Sequence, residues 1–100
     1  MDCVFCRIAS GEIPASKIFE NSKFIAFLDI RPANKGHTLV VPKEHFESAH
    51  DMPDVLFCEM MGLARAVAKR IFTELQPDGY NILMNNRKAA GQEVPHAHVH

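Results

Sequence analysis

The sequence predicts an α+β domain in which a mainly antiparallel sheet of about five strands is covered by one long helix. Two short apolar segments flank a polar turn, and a strongly apolar run follows them. One long amphipathic segment then separates this half of the chain from two further extended segments. Strands and helices do not alternate one for one, which argues against a Rossmann-type parallel sheet.

The first half of the chain supplies three strands and a short helical turn. Asn21-Ser22-Lys23 is a polar turn between two apolar segments and predicts a hairpin. The apolar run that ends at Pro42 is typical of a central strand. The expected boundaries are 4–8 for a turn or helix, 17–20 and 24–28 for the hairpin, 30–36 for a loop and 37–42 for the central strand.

The second half supplies the long helix and two more strands. Apolar residues recur at the helical period between Pro53 and Leu75, and Pro53 suits the first turn, where no N–H is needed. Gln76-Pro77-Asp78-Gly79 ends the helix. Cys58 lies in this segment, and we expect it to be a small buried apolar residue. The remaining strands are expected at 80–85 and 94–100.

Composition limits the class of protein. The 100 residues suit a single domain over 1–100, with 47% hydrophobic and 23% charged residues. Eleven basic and twelve acidic residues give a net charge of −1, which disfavours a nucleic-acid partner. No apolar run approaches the ~20 residues of a membrane span, and the N-terminus does not resemble a signal peptide. With three cysteines, an odd number, a disulfide framework is not expected and the cytoplasm is the expected location.

The chain ends in three alternating histidines, His96, His98 and His100, after a Gly91-Gln92 turn. In a strand, alternate side chains share one face and lie about 6.6–7 Å apart, so the three imidazoles would line one surface. Such a row suits metal binding, nucleophilic attack on phosphorus, or both. The alternative is an affinity tag or an incidental cluster, which the apolar alternation of the intervening residues disfavours.

Cys3-x-x-Cys6 is a second motif whose side chains can bind a metal or undergo redox chemistry. By itself the pair fits a zinc half-site, a redox pair or two surface thiols. A closed zinc site needs two further ligands, and spacing alone does not choose them. The candidates are His37, His45, His50, His96, His98 and His100.

The sequence lacks the common phosphate-binding and hydrolase motifs. It contains no Gly-x-x-x-x-Gly-Lys-Ser/Thr loop, no Gly-x-Gly-x-x-Gly and no Gly-x-Ser-x-Gly elbow. Its acidic residues do not cluster as Mg²⁺ ligands would, so no Mg²⁺ requirement is expected. Histidine itself is therefore the favoured nucleophile.

Several separated motifs, in order, resemble the histidine triad (HIT) family. They are the alternating histidines with Gly91-Gln92, and the segment Phe27–Ile30 leading to Gly36–His45. The resemblance runs from about Val4 to the last residue and is closest to the Hint branch of nucleoside phosphoramidate hydrolases. It implies cleavage at the α-phosphorus of a purine nucleotide through a nucleotidyl-histidine intermediate. Alternatives are a diadenosine polyphosphate hydrolase and a non-catalytic, zinc-stabilised nucleotide-binding module.

The resemblance also implies residue roles. His98 would be the nucleophile, His100 would bind phosphate oxygen and assist proton transfer, and His37 would orient the triad. Asp29 would hold the ribose hydroxyls. The base slot would be formed by Val4, Phe5, Ile8, Phe27 and Ile30, and the phosphate side by Asn85, Gln92 and Glu93. A structural zinc ion would be held by Cys3, Cys6, His45 and His96.

The resemblance further implies a homodimer, and the chain departs from the family pattern in two places. The family motif continues beyond the third histidine, whereas this chain ends at His100, so we expect the C-terminal segment of the family to be absent. Glu93 stands where some relatives carry a serine that donates to phosphate. An ionised carboxylate cannot donate, so protonation of the leaving group would fall to an imidazole.

Overall fold

The computed structural model describes residues 3–30, 32–33 and 35–100. Met1, Asp2, Arg31 and Asn34 lie outside the described residues, the last two within the expected 30–36 loop. The elements are α1 (Val4–Ala9), β1 (Lys17–Glu20), β2 (Phe24–Leu28), β3 (Thr38–Pro42) and α2 (Asp54–Leu75), with short 3₁₀ turns at Ala49–Asp51 and Lys88–Ala90. The α+β prediction is confirmed.

The sheet is antiparallel in the order β1-β2-β3, with β2 paired to β3 from Phe24↔Pro42 to Leu28↔Thr38. The side chain of Asn21 closes the hairpin turn because its Oδ1 accepts the N–H groups of Lys23 at 2.8 Å and Phe24 at 2.7 Å. This is the local side-chain bonding that makes asparagine a turn residue. The hairpin prediction is therefore confirmed.

Among the described residues, the sheet has three strands rather than the expected five. Val99 exchanges two backbone hydrogen bonds with Val40, at 2.9 and 3.0 Å, and His100 exchanges two with Leu83, at 3.2 and 2.8 Å. The C-terminal residues thus lie between β3 and the segment around Leu83. The Val99–Val40 pairing is a single pair of residues, since the next pair in register would be Ala97 with Pro42, and Pro42 has no N–H while the N–H of Ala97 donates to the Phe46 carbonyl at 2.6 Å.

Both faces of β2 and β3 are buried. One face packs on α2, and its core residues are Phe24, Ala26, Val40, Met52, Met60, Ala64, Val67, Ala97 and Val99. The other face packs on α1, through Cys3, Phe5, Ile25, Phe27, Leu39 and Val41. Ala97 and Val99 belong to the α2 face, so the alternating histidines are left for the α1 face, where the candidate site lies.

Helix α2 begins just after Pro53 and ends at Gln76, whose φ of 48° is left-handed. Its buried residues are Met60, Ala64 and Val67. The expectation for Cys58 is wrong: this residue is exposed, because it lies on the side of α2 that faces away from the sheet. In the part of the chain that the structure describes, no helix is both long and apolar enough to cross a membrane.

Candidate active site and metal centre

His98 is held as a neutral imidazole with one free nitrogen. Its residue is 4% exposed, and Nδ1 lies 2.7 Å from the carbonyl oxygen of His96. A carbonyl only accepts, so Nδ1 carries the proton and Nε2 carries the lone pair. Burial lowers the pKa of His98 below its usual value, and the carboxylates of Asp29 and Glu93 oppose this shift. The group is thus a neutral base or nucleophile near neutral pH.

His37 and His100 form a hydrogen-bonded pair beside it. The backbone N–H of Ala33 donates to Nδ1 of His37 at 3.0 Å, so the ring proton of His37 lies on Nε2. Nε2 donates in turn to Nδ1 of His100 at 2.9 Å, which leaves an N–H on Nε2 of His100. The rings of His98 and His100 are 4.9 Å apart between centroids. A nucleophile and a proton donor therefore lie side by side.

Asp29 and His37 are brought together where β2 ends and β3 begins. The N–H of Asp29 donates to the His37 carbonyl at 3.0 Å, and its carboxylate lies 3.8 Å from Nε2 of His37. Gly36, which precedes His37 in the sequence, has a φ of +86°. A Cβ at this position would lie 2.7 Å from Leu75 Cδ1. A glycine is needed at this position to bring the loop against α2 and deliver His37 to the site.

Asp29, His37 and His100 also place three possible metal-ligand atoms within 4.8 Å of one another. The tautomer of His37 argues against a metal there. A metal-bound histidine normally donates its other ring N–H to an acceptor, whereas Nδ1 of His37 accepts from Ala33. This group is better described as a hydrogen-bond relay.

A separate group fits a metal ion better. The structure brings together the four residues for which the family resemblance implied zinc, with their ligand atoms all within 4.8 Å: Cys3, Cys6, His45 and His96. Nδ1 of His96 lies 3.3 Å from Cys3 Sγ, 3.5 Å from Cys6 Sγ and 3.2 Å from Nδ1 of His45. Cys6 Sγ lies 3.3 Å from Nδ1 of His45.

The geometry and chemistry of this group suit Zn²⁺. Tetrahedral zinc with ordinary bond lengths separates sulfur from nitrogen by about 3.6 Å and two nitrogens by about 3.3 Å, close to the distances found. Nε2 of His96 donates to the Pro42 carbonyl at 2.8 Å, so Nδ1 presents its lone pair to the group. Burial and the neighbouring Cys3 raise the pKa of Cys6 to about 11, so a cation is required to hold it as a thiolate.

Apolar residues surround the α1 side of the histidines. The ring of Phe5 meets His98 edge-on at 5.1 Å and Phe27 at 5.7 Å. Ile30 is 91% exposed and Val4 is also exposed, whereas Ile8 is half-buried against the core. The expected slot residues thus combine a buried wall with exposed apolar surface.

Gln92 shapes the loop before the triad. Its Oε1 accepts the N–H of Arg87 at 2.7 Å, and its Nε2 donates to the carbonyls of Glu47 at 2.6 Å and Val94 at 3.0 Å. Both amide hydrogens are used in this way, and the side chain is buried. Asn85 lies close to the turn, with Nδ2 3.6 Å from the Cβ position of Gly91.

Sequence reasoning missed the anchor of this loop. Arg87 has φ 77° and ψ 155°, a conformation that essentially only glycine adopts readily. Its guanidinium donates to Nε2 of His50 at 2.8 Å, and Asn86 Oδ1 accepts the N–H of Ala49 at 2.7 Å. No local sequence signal marks the contact of Arg87 with His50 or that of Asn86 with Ala49.

The fold and this site define an α+β domain in which a buried neutral histidine, His98, lies beside a group of two cysteines and two histidines that could hold a metal ion. The chain belongs to the HIT family: the model described as "HIT domain" matches residues 10–100. The predicted family is therefore confirmed.

Relatives and solved structures agree with this assignment. The chain is 50% identical over 99 residues to a HIT-like protein of Methanocaldococcus jannaschii, covering 98% of this chain and 75% of that protein. It is 43% identical over 100 residues to an adenosine 5′-monophosphoramidase of Schizosaccharomyces pombe, covering 100% of this chain and 72% of the relative. A zinc-bound histidine triad family protein of Mycobacterium smegmatis superposes with a TM-score of 0.95 at 44% identity, covering 100% of this chain and 73% of that one.

Proposed function

We propose that this chain hydrolyses purine nucleoside 5′-phosphoramidates, or the related acyl-nucleotides, at the α-phosphorus. The family and the relative named adenosine 5′-monophosphoramidase identify the chain as a nucleotide hydrolase. The observation that carries the specific reaction is the 2.7 Å hydrogen bond from Nδ1 of His98 to the His96 carbonyl, because it leaves Nε2 as a free nucleophile.

The reaction has two steps. In the first, the Nε2 lone pair of His98 attacks the α-phosphorus, and the phosphorus–nitrogen bond breaks with its electrons moving to the leaving nitrogen. That nitrogen takes a proton from Nε2 of His100, so an amine departs and a nucleotidyl-His98 intermediate remains. In the second, water attacks phosphorus and gives a proton to His100. The phosphorus–Nε2 bond breaks, which releases the nucleoside monophosphate and restores both imidazoles.

The substrate contacts follow from the same residues. The carboxylate of Asp29 accepts hydrogen bonds from the ribose hydroxyls, and Asn85 contacts the phosphate. Gln92 holds the loop rather than the substrate, because both its amide hydrogens are used. Glu93 lines a cleft of about 600 Å³ together with Glu47, Arg87 and Lys88, which we assign to the leaving group. The base enters the slot formed by Val4, Phe5, Ile8, Phe27 and Ile30.

A zinc ion has a structural role in this proposal. Cys3, Cys6, His45 and His96 would hold it, and when bound it cross-links α1 to the sheet and to the triad. No chemical step uses it, and no Mg²⁺ is required. All three cysteines are free thiols, which suits a reducing compartment such as the cytoplasm. We also propose a homodimer, without nucleic-acid or membrane partners.

Incubation with adenosine 5′-phosphoramidate tests this function. The parent chain should release AMP, and His98→Ala should lower kcat/KM by about 10³-fold or more because the nucleophile is removed. After a quench in denaturant at alkaline pH, where a phosphorus–nitrogen bond to histidine survives, mass spectrometry should find a nucleotidyl adduct on His98 in the parent alone. Val55→Ala changes a side chain that is 72% exposed on α2 and should keep the parental rate.

The opposite outcome is equally clear. AMP release by a folded His98→Ala variant at the parental rate would reject the mechanism. A folded parent that binds nucleotide and releases no AMP would favour a binding module. Diadenosine polyphosphate, offered in parallel, separates the two hydrolase activities by their products.

A further inference from the structure

Two residues hold the ring of His98. His96 is itself a member of the Cys₂His₂ group, and Phe5 lies between the two cysteines of that group in the sequence. The Nδ1–H of His98 bonds to the carbonyl of His96, whose own ring is one of the four candidate ligands. The His98 ring also makes a T-shaped contact with the ring of Phe5, with the two centroids 5.1 Å apart. Phe5 lies on α1 between Cys3 and Cys6.

The sulfur atoms of Cys3 and Cys6 determine the positions of His96 and Phe5. His96 is fully buried, and its ring is fixed by the Pro42 carbonyl at Nε2 and by both sulfurs at Nδ1, 3.3 Å from Cys3 and 3.5 Å from Cys6. Cys3 also caps α1, since its Sγ accepts the N–H of Cys6 at 3.4 Å. A change at the sulfurs would therefore shift the start of α1, and with it Phe5, as well as the ring of His96.

We propose that Phe5 and His96 are positioning residues for the nucleophile, and that the state of the Cys3 and Cys6 thiols switches the reaction on and off. In the reduced state, the sulfurs and the ion that they would bind together with His45 and His96 hold α1 and His96 in the places that align His98. Oxidation to a Cys3–Cys6 disulfide displaces both. The effect on rate rests on the proposed function, whereas the effect on the His98 ring does not.

The oxidation needs only a peroxide as co-reactant. One thiol attacks the peroxide, becomes a sulfenic acid and releases water when the oxidant is hydrogen peroxide. The second thiol then displaces water from the sulfenic sulfur, so that a disulfide forms and the two sulfurs together lose two electrons. The sulfurs lie within 4.8 Å of each other and must approach to about 2.05 Å, which takes them away from the imidazoles. Any zinc they held as thiolates is released.

The third cysteine provides a matched control. Cys58 is exposed on α2, on the other side of the sheet from α1. Cys58→Ser removes the thiol that peroxide reaches most easily and leaves the cluster intact. Under our proposal, the loss of the two cluster thiols, the release of zinc, the His98 shifts and kcat should be the same in this variant and in the parent, and only the parent has a further thiol to lose, at Cys58.

The experiment treats the zinc-loaded protein with increasing hydrogen peroxide. Free thiols, released zinc, the imidazole nitrogen chemical shifts of His98 and the kcat for AMP release are followed together. We expect two thiols and the zinc to be lost in parallel, the His98 shifts to change, and kcat to fall at least tenfold. Dithiothreitol with added zinc should restore all four.

A merely structural centre would give a different result. Oxidation would then lower the melting temperature and leave the His98 shifts and kcat of the folded protein unchanged, which would overturn the proposal. If the reduced parent releases no AMP, the proposed function fails, while the His98 shifts still decide the coupling.

A second variant decides the matter if peroxide unfolds the chain. His45→Gln removes one candidate ligand without touching Phe5, His96 or the cysteines. The folded variant should bind zinc more weakly and show altered His98 nitrogen shifts with a lower kcat. Parental shifts and kcat after loss of zinc would reject the proposal.

Discussion

Three histidines of one short segment present three different ring nitrogens because each has a different fixed partner. His96 donates to the Pro42 carbonyl and presents Nδ1 to Cys3, Cys6 and His45. His98 donates to the His96 carbonyl and keeps Nε2 free. His100 accepts from His37 and keeps an N–H on Nε2. The ring nitrogen that each partner occupies determines which nitrogen is available for chemistry.

The pH dependence of activity follows from His100. Burial, and then the neighbouring His98 and His37, lower its pKa below the usual value of 6.5. Protonation at Nδ1 would break the hydrogen bond from His37, so the proposed reaction requires the neutral form. Because the folded pKa is depressed, His100 stays neutral as the pH falls through 6.5 and protonates only below it. We therefore expect kcat/KM for AMP release to decline only below pH 6.5.

Measuring kcat/KM from pH ~5 to ~8, with buffer blanks for acid hydrolysis of the substrate, checks this expectation. An acid limb whose midpoint lies above pH 6.5 would contradict it. In His100→Gln the midpoint should no longer reflect an imidazole at this position, although the rate itself should be much lower.

At the scale of elements, patterns that arise from burial were predictable and backbone pairing was not. Strands β2 and β3 are unbroken apolar runs because both of their faces are buried, so their positions follow from sequence. The 94–100 segment alternates because Ala97 and Val99 face the α2 core, whichever backbone bonds it makes. The alternation of apolar residues reflects side-chain burial and not backbone pairing. It therefore did not reveal that the 94–100 segment pairs with each neighbour through one residue pair instead of a full strand ladder.

Helix α2 is stabilised mainly by a few residues on one face. Met60 is fully buried against the sheet, whereas Val55 is 72% exposed on the same helix. Met60→Ala should lower the free energy of unfolding by about 2–5 kcal/mol, through lost burial and the cavity it leaves. Val55→Ala should change it by less than about 0.5 kcal/mol. Urea denaturation followed by circular dichroism measures both, and equal effects would show that Met60 is not a core residue.

At the scale of the whole molecule, the sequence indicated the chemistry of the site better than its assembly. The CxxC pair left six histidines as possible partners, and only the family resemblance pointed to His45 and His96. Those two residues are 51 positions apart, and folding brings their Nδ1 atoms to 3.2 Å. No local pattern encodes such a contact. The anchoring of the loop by Arg87 is equally non-local, since it depends on His50 across the cleft.

One side of the molecule carries apolar surface that the single chain does not cover. A cleft of about 810 Å³ lies between the C-terminal half of α2 and the segment 77–85. Phe72, Leu75 and Tyr80 line it and are each more than 40% exposed. Exposed apolar groups that are clustered in this way are typical of protein interfaces, and the homodimer that we propose would cover them with a second copy.

Substitution on this surface tests the dimer. Phe72→Glu places a charge in the proposed interface, where desolvation would be costly, and should convert a dimeric parent into a monomer. Ile18→Glu is the control because Ile18 is a similarly exposed apolar residue on β1, at the opposite edge of the sheet. Sedimentation equilibrium should give a dimer for the parent and for Ile18→Glu, and a monomer for Phe72→Glu. A monomeric parent, or a Phe72→Glu variant that remains dimeric, would show that this surface does not join two copies of the chain.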